Sequence, residues 1–527
     1  MGPDIVFAIP ANLRPPQPNS LPPPMANVSS LEFIPPQLDG RVVAGARLLL
    51  PLWLRQGGLR AIEVEEIGRL QLAMQQFQAG ESRLLLAFRH PSLDDPAVLA
   101  HLLWCDLARA GRPAGSRDGR RFHPRPHAQF LYDRGIPLWA GAPIGWLLSH
   151  LGGCSIQRSK LDLPALRTAR ALLLDGPYPF AVAPEGSTNG HNEVISPLEP
   201  GVAQLAFWTA DDLARAGRPE ATTLLPIGLQ YSFTAPVWPS IERLLRELET
   251  EVGLPPATDR SLEPQRLYRR LFALAGVILN RMERFYRDAY HQPLPKAPDA
   301  TAASGNASQE PGGSAPQASE AQGINNSDLG ARLSRLMEAA LQVAERALAV
   351  EGRGDVNERC RRLEQASWDR LYPANGTATP PASALERGLA SRLAEQTAQQ
   401  LWHMRLVESF VAVSGRYVKD DPSQERFADT LLILWDTLCR IRGGNPERRP
   451  RLGNRRAQIR IGEAIVVGSR LAAYRTDRRG AVASLTADLQ REMEGLIVPS
   501  GDGGDGGGGD SGDRTRTPAQ SPANRAR

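Results

Sequence analysis

His90 and Asp95 stand five positions apart in Arg-His-Pro-Ser-Leu-Asp-Asp, residues 89–95. A histidine that is neutral near pH 7 can take a proton from a hydroxyl. A carboxylate beside it can hold one ring tautomer and stabilise the imidazolium that forms. Within one helix, five residues place two side chains on different faces, but across a loop-to-helix junction they can meet. The residues just before, Leu84-Leu85-Leu86-Ala87-Phe88, form a short apolar run that reads as a buried strand. Pro96 reads as the first residue of a helix with Asp95 at its N-cap. Asp94 competes for the orienting role, and Asp95 could serve only as the cap. Ser92 has no Gly-x-Ser-x-Gly elbow around it and reads as a turn or capping residue.

Three further segments follow in order. They are Gly153-Cys154-Ser155-Ile156-Gln157-Arg158; Val182-Ala183-Pro184-Glu185-Gly186-Ser187, trailed by Pro197-Leu198-Glu199-Pro200-Gly201; and Leu225-Pro226-Ile227-Gly228. As an ordered set over residues 80–235 they resemble the glycerolipid acyltransferase family, whose best-known members acylate lysophosphatidate. The family's blocks run Asn-His-x4-Asp, Gly-x-Ile-x-x-Arg, Phe-Pro-Glu-Gly-Thr-Arg and an apolar-Pro-apolar strand. The resemblance implies His90 as general base and Asp95 as its orienter. It implies Arg158 as a contact to the acceptor's phosphate, and Glu185, Gly186 and Ser187 on a turn that faces the acceptor. It places Pro226 near the acyl donor.

The activity implied is transfer of a fatty acyl group from acyl-ACP or acyl-CoA to the hydroxyl of a lysophospholipid, 1-acylglycerol-3-phosphate first, in phospholipid biosynthesis. A carrier thioester is already activated, so the reaction needs no cofactor besides that donor. The departures from the family pattern concern the acceptor. Arg89 stands where the family has Asn, Ala183 where it has Phe, and Ser187-Thr188 where it has Thr-Arg. Arg89, Arg158 or Arg167 could restore the missing positive charge. Otherwise the acceptor is another glycerolipid precursor, such as glycerol-3-phosphate or a lysoglycolipid. A rival of another class is a degenerate acyltransferase domain that acts as a scaffold.

Composition sets the limits. The chain has 527 residues, 42% hydrophobic, enough for more than one domain. Cys105, Cys154, Cys360 and Cys439 form no Cys-x-x-Cys pair, so the pattern indicates neither a zinc site nor a disulfide framework; reduced thiols in the cytoplasm fit. His123 and His127 have the spacing of a helical metal pair, but Pro124 and Pro126 exclude the helix. The first ten residues have no basic n-region, and no apolar run approaches the roughly 20 residues that cross a bilayer. Membrane contact is therefore expected to be peripheral, at a cytoplasmic face. The net charge of +5 comes almost wholly from arginine, which suits phosphate and an anionic membrane surface. No nucleic-acid motif accompanies it.

Around the motifs, the alternation of short apolar runs with helical stretches predicts an α/β domain with a mostly parallel sheet flanked by helices. Residues 1–40 form a proline-rich extension, and residues 41–239 carry the domain. Residues 41–55 are apolar with basic ends, either an interfacial segment or a buried helix and strand. Residues 60–78 show helical spacing. Strands are predicted at 84–88, 179–183 and 223–229, and helices at 96–110, 163–174 and 200–216. The apolar stretch Ile136–Leu151, with Trp139 and Trp146, could line an acyl pocket, meet an interface or be ordinary core.

Residues 240–450 are predicted helical, with a flexible linker at 296–327. An alternating segment, Ala457–Ile465, includes Gly462-Glu463-Ala464-Ile465 and resembles the strand-Gly-Glu-Pro-Ile element that closes the family's sheet. A helix at 481–496 follows. On this reading residues 451–497 complete the α/β domain and 240–450 are a helical insertion; the alternative is a separate C-terminal helical domain. The Gly/Asp-rich tail, 498–527, is expected to be disordered.

Overall fold

The computed structural model describes residues 33–110, 122, 124–157, 161–255, 261–294, 326–371, 383–411, 413, 416–446 and 448–500. Arg158 lies outside the described residues, as do most of the N-terminal extension, the linker and the tail.

Both faces of the segment Leu84–Phe88 are apolar, and the strand it forms is covered on both sides. Leu84, Leu86 and Phe88 point into one core, and Leu85 and Ala87 into another. Strands buried on both faces read as continuous apolar runs and belong in parallel sheets. The sheet comprises β1 (Leu59–Glu65), β2 (Ser82–Phe88), β3 (Gln129–Asp133), β4 (Gly153–Ile156), β5 (Phe180–Val182), β6 (Ala221–Phe233), β7 (Arg455–Ile461) and β8 (Ile465–Val466). Their order is β1-β7-β6-β2-β5-β3-β4, with β8 beside β6. All pairs are parallel except β6 with β7 and β6 with β8.

The helices of the first part are α1 (Gly40–Gln56), α2 (Ile67–Gln78), α3 (Asp95–His101), α4 (Leu107–Ala110), α5 (Ile136–Ala140), α6 (Ala142–His150), α7 (Leu163–Asp175) and α8 (Gly201–Arg215). Between β6 and β7 come α9 (Trp238–Glu251), α10 (Pro264–Tyr290), α11 (Asn326–Leu348), α12 (Val356–Leu371), α13 (Ala384–Glu408), α14 (Tyr417–Asp420) and α15 (Gln424–Ile441). They enclose an apolar core of their own. The chain then returns to the sheet and ends in α16 (Leu471–Thr476) and α17 (Arg478–Gly495). Helices α1 to α4 cover one face of the sheet, and α7, α8, α16 and α17 cover the other.

Three local expectations change. Residues 59–65 are strand β1, not the start of a helix. Ile62 and Val64 alternate with Ala61, Glu63 and Glu65, a period of two that suits a half-exposed edge strand. The helix expected over 96–110 is interrupted by a π-turn at Leu102–Asp106. Its N-cap is Asp94, whose carbonyl accepts the Ala97 and Val98 N–H groups, so Asp95 is the first helical residue. That shift frees the Asp95 carboxylate from capping.

Burial also sets an acid limit on the fold. His127 accepts the Trp104 indole N–H at Nδ1 (3.1 Å) and donates from Nε2 to the Leu151 carbonyl (3.0 Å). An indole nitrogen only donates, so this ring must stay neutral. Burial lowers His127, His191 and His403 to about 4. The unfolded histidines charge near pH 6.5 and the buried ones do not, so stability present above pH 6.5 is lost as pH falls toward 4. Asp429 on α15, pushed up to about 7 by burial, opposes this: its contribution favours the fold at low pH and fades as pH rises toward 7. Glu185, Glu425 and Asp436, also raised by burial, act the same way as Asp429. Between pH 7 and pH 5, His127→Gln should remove about 2 kcal/mol of acid destabilisation from the unfolding free energy obtained by urea titration. An unchanged pH slope in the variant would exclude His127 as a source.

Candidate active site

β2 ends at Phe88 with its neighbours already fixed, because it pairs with both β5 and β6. The next residue, Arg89, donates its N–H to the Ile227 carbonyl on β6 (3.0 Å), which keeps the chain in register one residue past the end of β2. Pro91 then turns it toward α3. His90 Nδ1 meets Asp95 Oδ2 at 2.9 Å. The Asp95 side chain is fully buried, while that of His90 is 20% exposed. Asp95 can only accept, so Nδ1 carries the proton and Nε2 is left as an acceptor. Asp95 takes two more donors: the Ser92 N–H at Oδ2 (2.7 Å) and the Tyr231 hydroxyl at Oδ1. Three donors from two segments, the 90–92 loop and β6, hold one carboxylate, so its orientation is set by the fold. Burial and the adjacent Asp95 charge push the Tyr231 hydroxyl well above its usual range, so it remains a donor.

Asp94, the rival orienter, turns away and pairs with Arg455, whose guanidinium also lies 5.1 Å above the Tyr231 ring. Ser92 Oγ accepts the Asp94 N–H (3.2 Å), a turn contact. Neither contact leads to His90.

The second motif loop enters from β5. Glu185 is buried and accepts the His90 backbone N–H (2.9 Å), the Asn189 amide (2.9 Å) and the Ser196 N–H (3.0 Å). Desolvation raises its pKa, against the pull of Arg89 and of those N–H groups. Placed this way, Glu185 holds the His90 backbone, and it also lines the cleft beside Ser187. Gly186 closes the turn at φ +74°, a conformation that favours glycine, with its N–H on the Ala183 carbonyl (3.2 Å). Ser187 is exposed at the rim of a narrow cleft between this loop and helices α12 and α13.

Arg89 does not supply a ligand-facing charge. It is fully buried, and its guanidinium donates to the carbonyls of His191 (2.8 Å), Asn192, Val194 (2.9 Å) and Leu229 (3.1 Å). It staples residues 189–194 onto β6. Arg167 is exposed on α7. Pro226 is buried in mid-strand on β6, opposite Ala87 of β2. There the other edge of β6 changes partner, from β8 at Leu224 to β7 at Ile227. A residue without an N–H suits such a break. Its carbonyl takes the Gly462 N–H (2.9 Å), and a side chain at Gly462 would meet the Pro226 ring at 3.1 Å.

The helical segment reaches this site from outside. The Asn192 side chain pairs with the Tyr231 backbone, its amide on the carbonyl (2.6 Å) and its oxygen on the N–H (2.7 Å). The Asn192 N–H in turn donates to Asp429 (2.8 Å), which also accepts the Tyr417 hydroxyl (2.9 Å). Arg426 binds Glu193 (2.8 Å). Helices α14 and α15 therefore clamp the loop whose carbonyls hold Arg89. Tyr231, Asn189, Asn192 and Asp429 were not singled out by sequence reasoning. For Tyr231 a partial signal existed: Ile227, Leu229 and Tyr231 share one face of β6. Comparison with known proteins adds no relative: no family model matches the chain, and no curated protein matches it.

Proposed function

We propose that the chain is an O-acyltransferase of glycerolipids. It moves a fatty acyl group from acyl-ACP or acyl-CoA to the hydroxyl of a lysophospholipid, 1-acylglycerol-3-phosphate first, as a peripheral protein at the cytoplasmic face of a membrane. The observation that carries the reading is the His90–Asp95 pair at the end of β2, with Nδ1 committed to the carboxylate. His90 Nε2 takes the acceptor hydroxyl's proton as that oxygen attacks the thioester carbonyl. The C–S bond then breaks, and the thiolate recovers the proton from the imidazolium. Asp95 stabilises the cation between the two steps. Among the described residues no helix is long and apolar enough to cross a membrane.

A second acceptor class has its own support. Thr188 stands where the family has an arginine, and Arg89 is consumed inside the fold. Glycerol-3-phosphate or a lysoglycolipid then becomes the alternative acceptor. The test is purified wild-type and His90→Ala protein with labelled acyl-ACP and acyl-CoA against lysolipids and glycerol-3-phosphate. Wild-type transfer should fall roughly 10²–10⁴-fold in the variant. Full activity in the folded variant would end the reading.

A further inference from the structure

Two clefts differ in charge and size. The one beside Ser187 and Thr188 is about 50 Å³ and is lined by Glu185, Glu199, Glu364 and Glu408 against a single arginine, Arg361. Four carboxylates against one arginine disfavour a phosphate there. The other, about 420 Å³, lies between the end of α1, the start of β1, α9 and the turn into β7. Arg55, Arg60, Arg243 and Arg451 line it, and no lining residue is acidic. Arg55, Arg60 and Arg243 have no ion-pair partner among the described residues. Arg451 spends one N–H on the Gln56 carbonyl.

The arginine cleft opens on the edge of the sheet that carries the candidate site. β7 runs antiparallel to β6, so its first residue, Arg455, pairs with Phe233 at the end of β6 and reaches Asp94 in the His90 loop. The cleft is lined by Asn454, one residue before.

The adjoining helix has apolar residues on its outward side as well as its inward one. Leu50 and Leu54 are buried, yet Leu48, Leu49, Leu52 and Trp53 are 80%, 61%, 56% and 63% exposed. At 100° per residue these four fall within an arc of about 140°, and Arg55 borders it. A soluble anion needs the arginines but not this stripe. A bilayer uses both, because apolar side chains enter the acyl boundary while arginines meet the headgroups.

We propose that the four-arginine cleft binds the phosphate of an anionic phospholipid while the outward face of α1 rests in the bilayer. This deepens the membrane contact of the acyltransferase reading, yet needs none of its chemistry.

The test is co-sedimentation of the full-length protein with phosphatidylcholine vesicles, with and without phosphatidylglycerol. Binding is expected to require phosphatidylglycerol and to weaken with salt. Arg60→Gln/Arg243→Gln should reduce it about 30-fold, from about 1 kcal/mol for each charge near the surface. Leu52→Ser/Trp53→Ser should also release the protein, with melting curves unchanged in both variants. Wild-type affinity in the arginine variant would overturn the proposal. So would an arginine-dependent thermal shift with inorganic phosphate, or binding of acidic acyl carrier protein, in the absence of vesicle binding. His90→Ala should sediment like wild type, and a wild-type protein that binds vesicles but transfers no acyl group would defeat the acyltransferase reading and leave this one standing.

Discussion

Asp95→Asn is expected to lower the transfer rate by roughly 10²–10⁴-fold while the protein stays folded. The argument rests on which atoms the carboxylate serves. Oδ2 accepts from both His90 Nδ1 and the Ser92 N–H, and Oδ1 accepts from the Tyr231 hydroxyl. An asparagine has one accepting oxygen. If its NH₂ group faced the Oδ2 position, it would meet the Ser92 N–H, donor against donor. The amide therefore turns its NH₂ toward Tyr231, whose hydroxyl can rotate to accept it. The histidine keeps its tautomer and loses only the negative charge beside it. The effect should thus appear in kcat rather than KM. Tyr231→Phe, which removes one donor and leaves the charge, should cost much less. An unchanged kcat in Asp95→Asn would remove Asp95 from the mechanism.

Arg89→Leu should give the largest loss of stability, on the order of 3–5 kcal/mol. Four carbonyls lose their donors, and a buried acceptor left unmatched costs its desolvation outright. The change also reaches Glu185. The Arg89 charge is the main force holding that carboxyl down against desolvation. Without it the carboxyl shifts further up, and a protonated oxygen would confront the N–H groups of His90, Asn189 and Ser196. Arg89→Lys keeps the charge, but a compact ammonium cannot span four carbonyls. It should rescue part of the activity and less of the stability. Urea unfolding with parallel rates separates the two. A loss below about 1 kcal/mol in Arg89→Leu would show that the staple is dispensable.

The chemistry in the sequence and its position in the fold were legible to different degrees. The apolar run at 84–88 and the Pro after Asp95 sufficed to place a histidine at a strand end and a carboxylate at a helix start, because burial pattern and proline act locally. The predicted strand segments 179–183 and 223–229 lie on β5 and β6 for the same reason. The edge strand β1 was not legible, since its half-exposed alternation merges with the helical spacing of α2. Asp94 and Asp95 were indistinguishable in sequence. A one-residue shift of the helix start separates them, and Tyr231, 136 positions away, helps hold the one that meets His90.

Arg89 shows the division most clearly. In sequence it is a positive charge beside the candidate base, available for a phosphate. In the fold it is sealed among carbonyls from two segments more than 100 positions downstream, an environment set by how β6 and the 189–194 loop pack. The sequence by itself determined the residue types, the local strand and the helix start that bring His90 and Asp95 within reach. Only the tertiary structure decided which carboxylate meets His90, that Glu185 holds the His90 backbone, and where arginines without ion-pair partners gather. Hydrogen-bond partners and desolvation come from distant segments, and no local pattern encodes them.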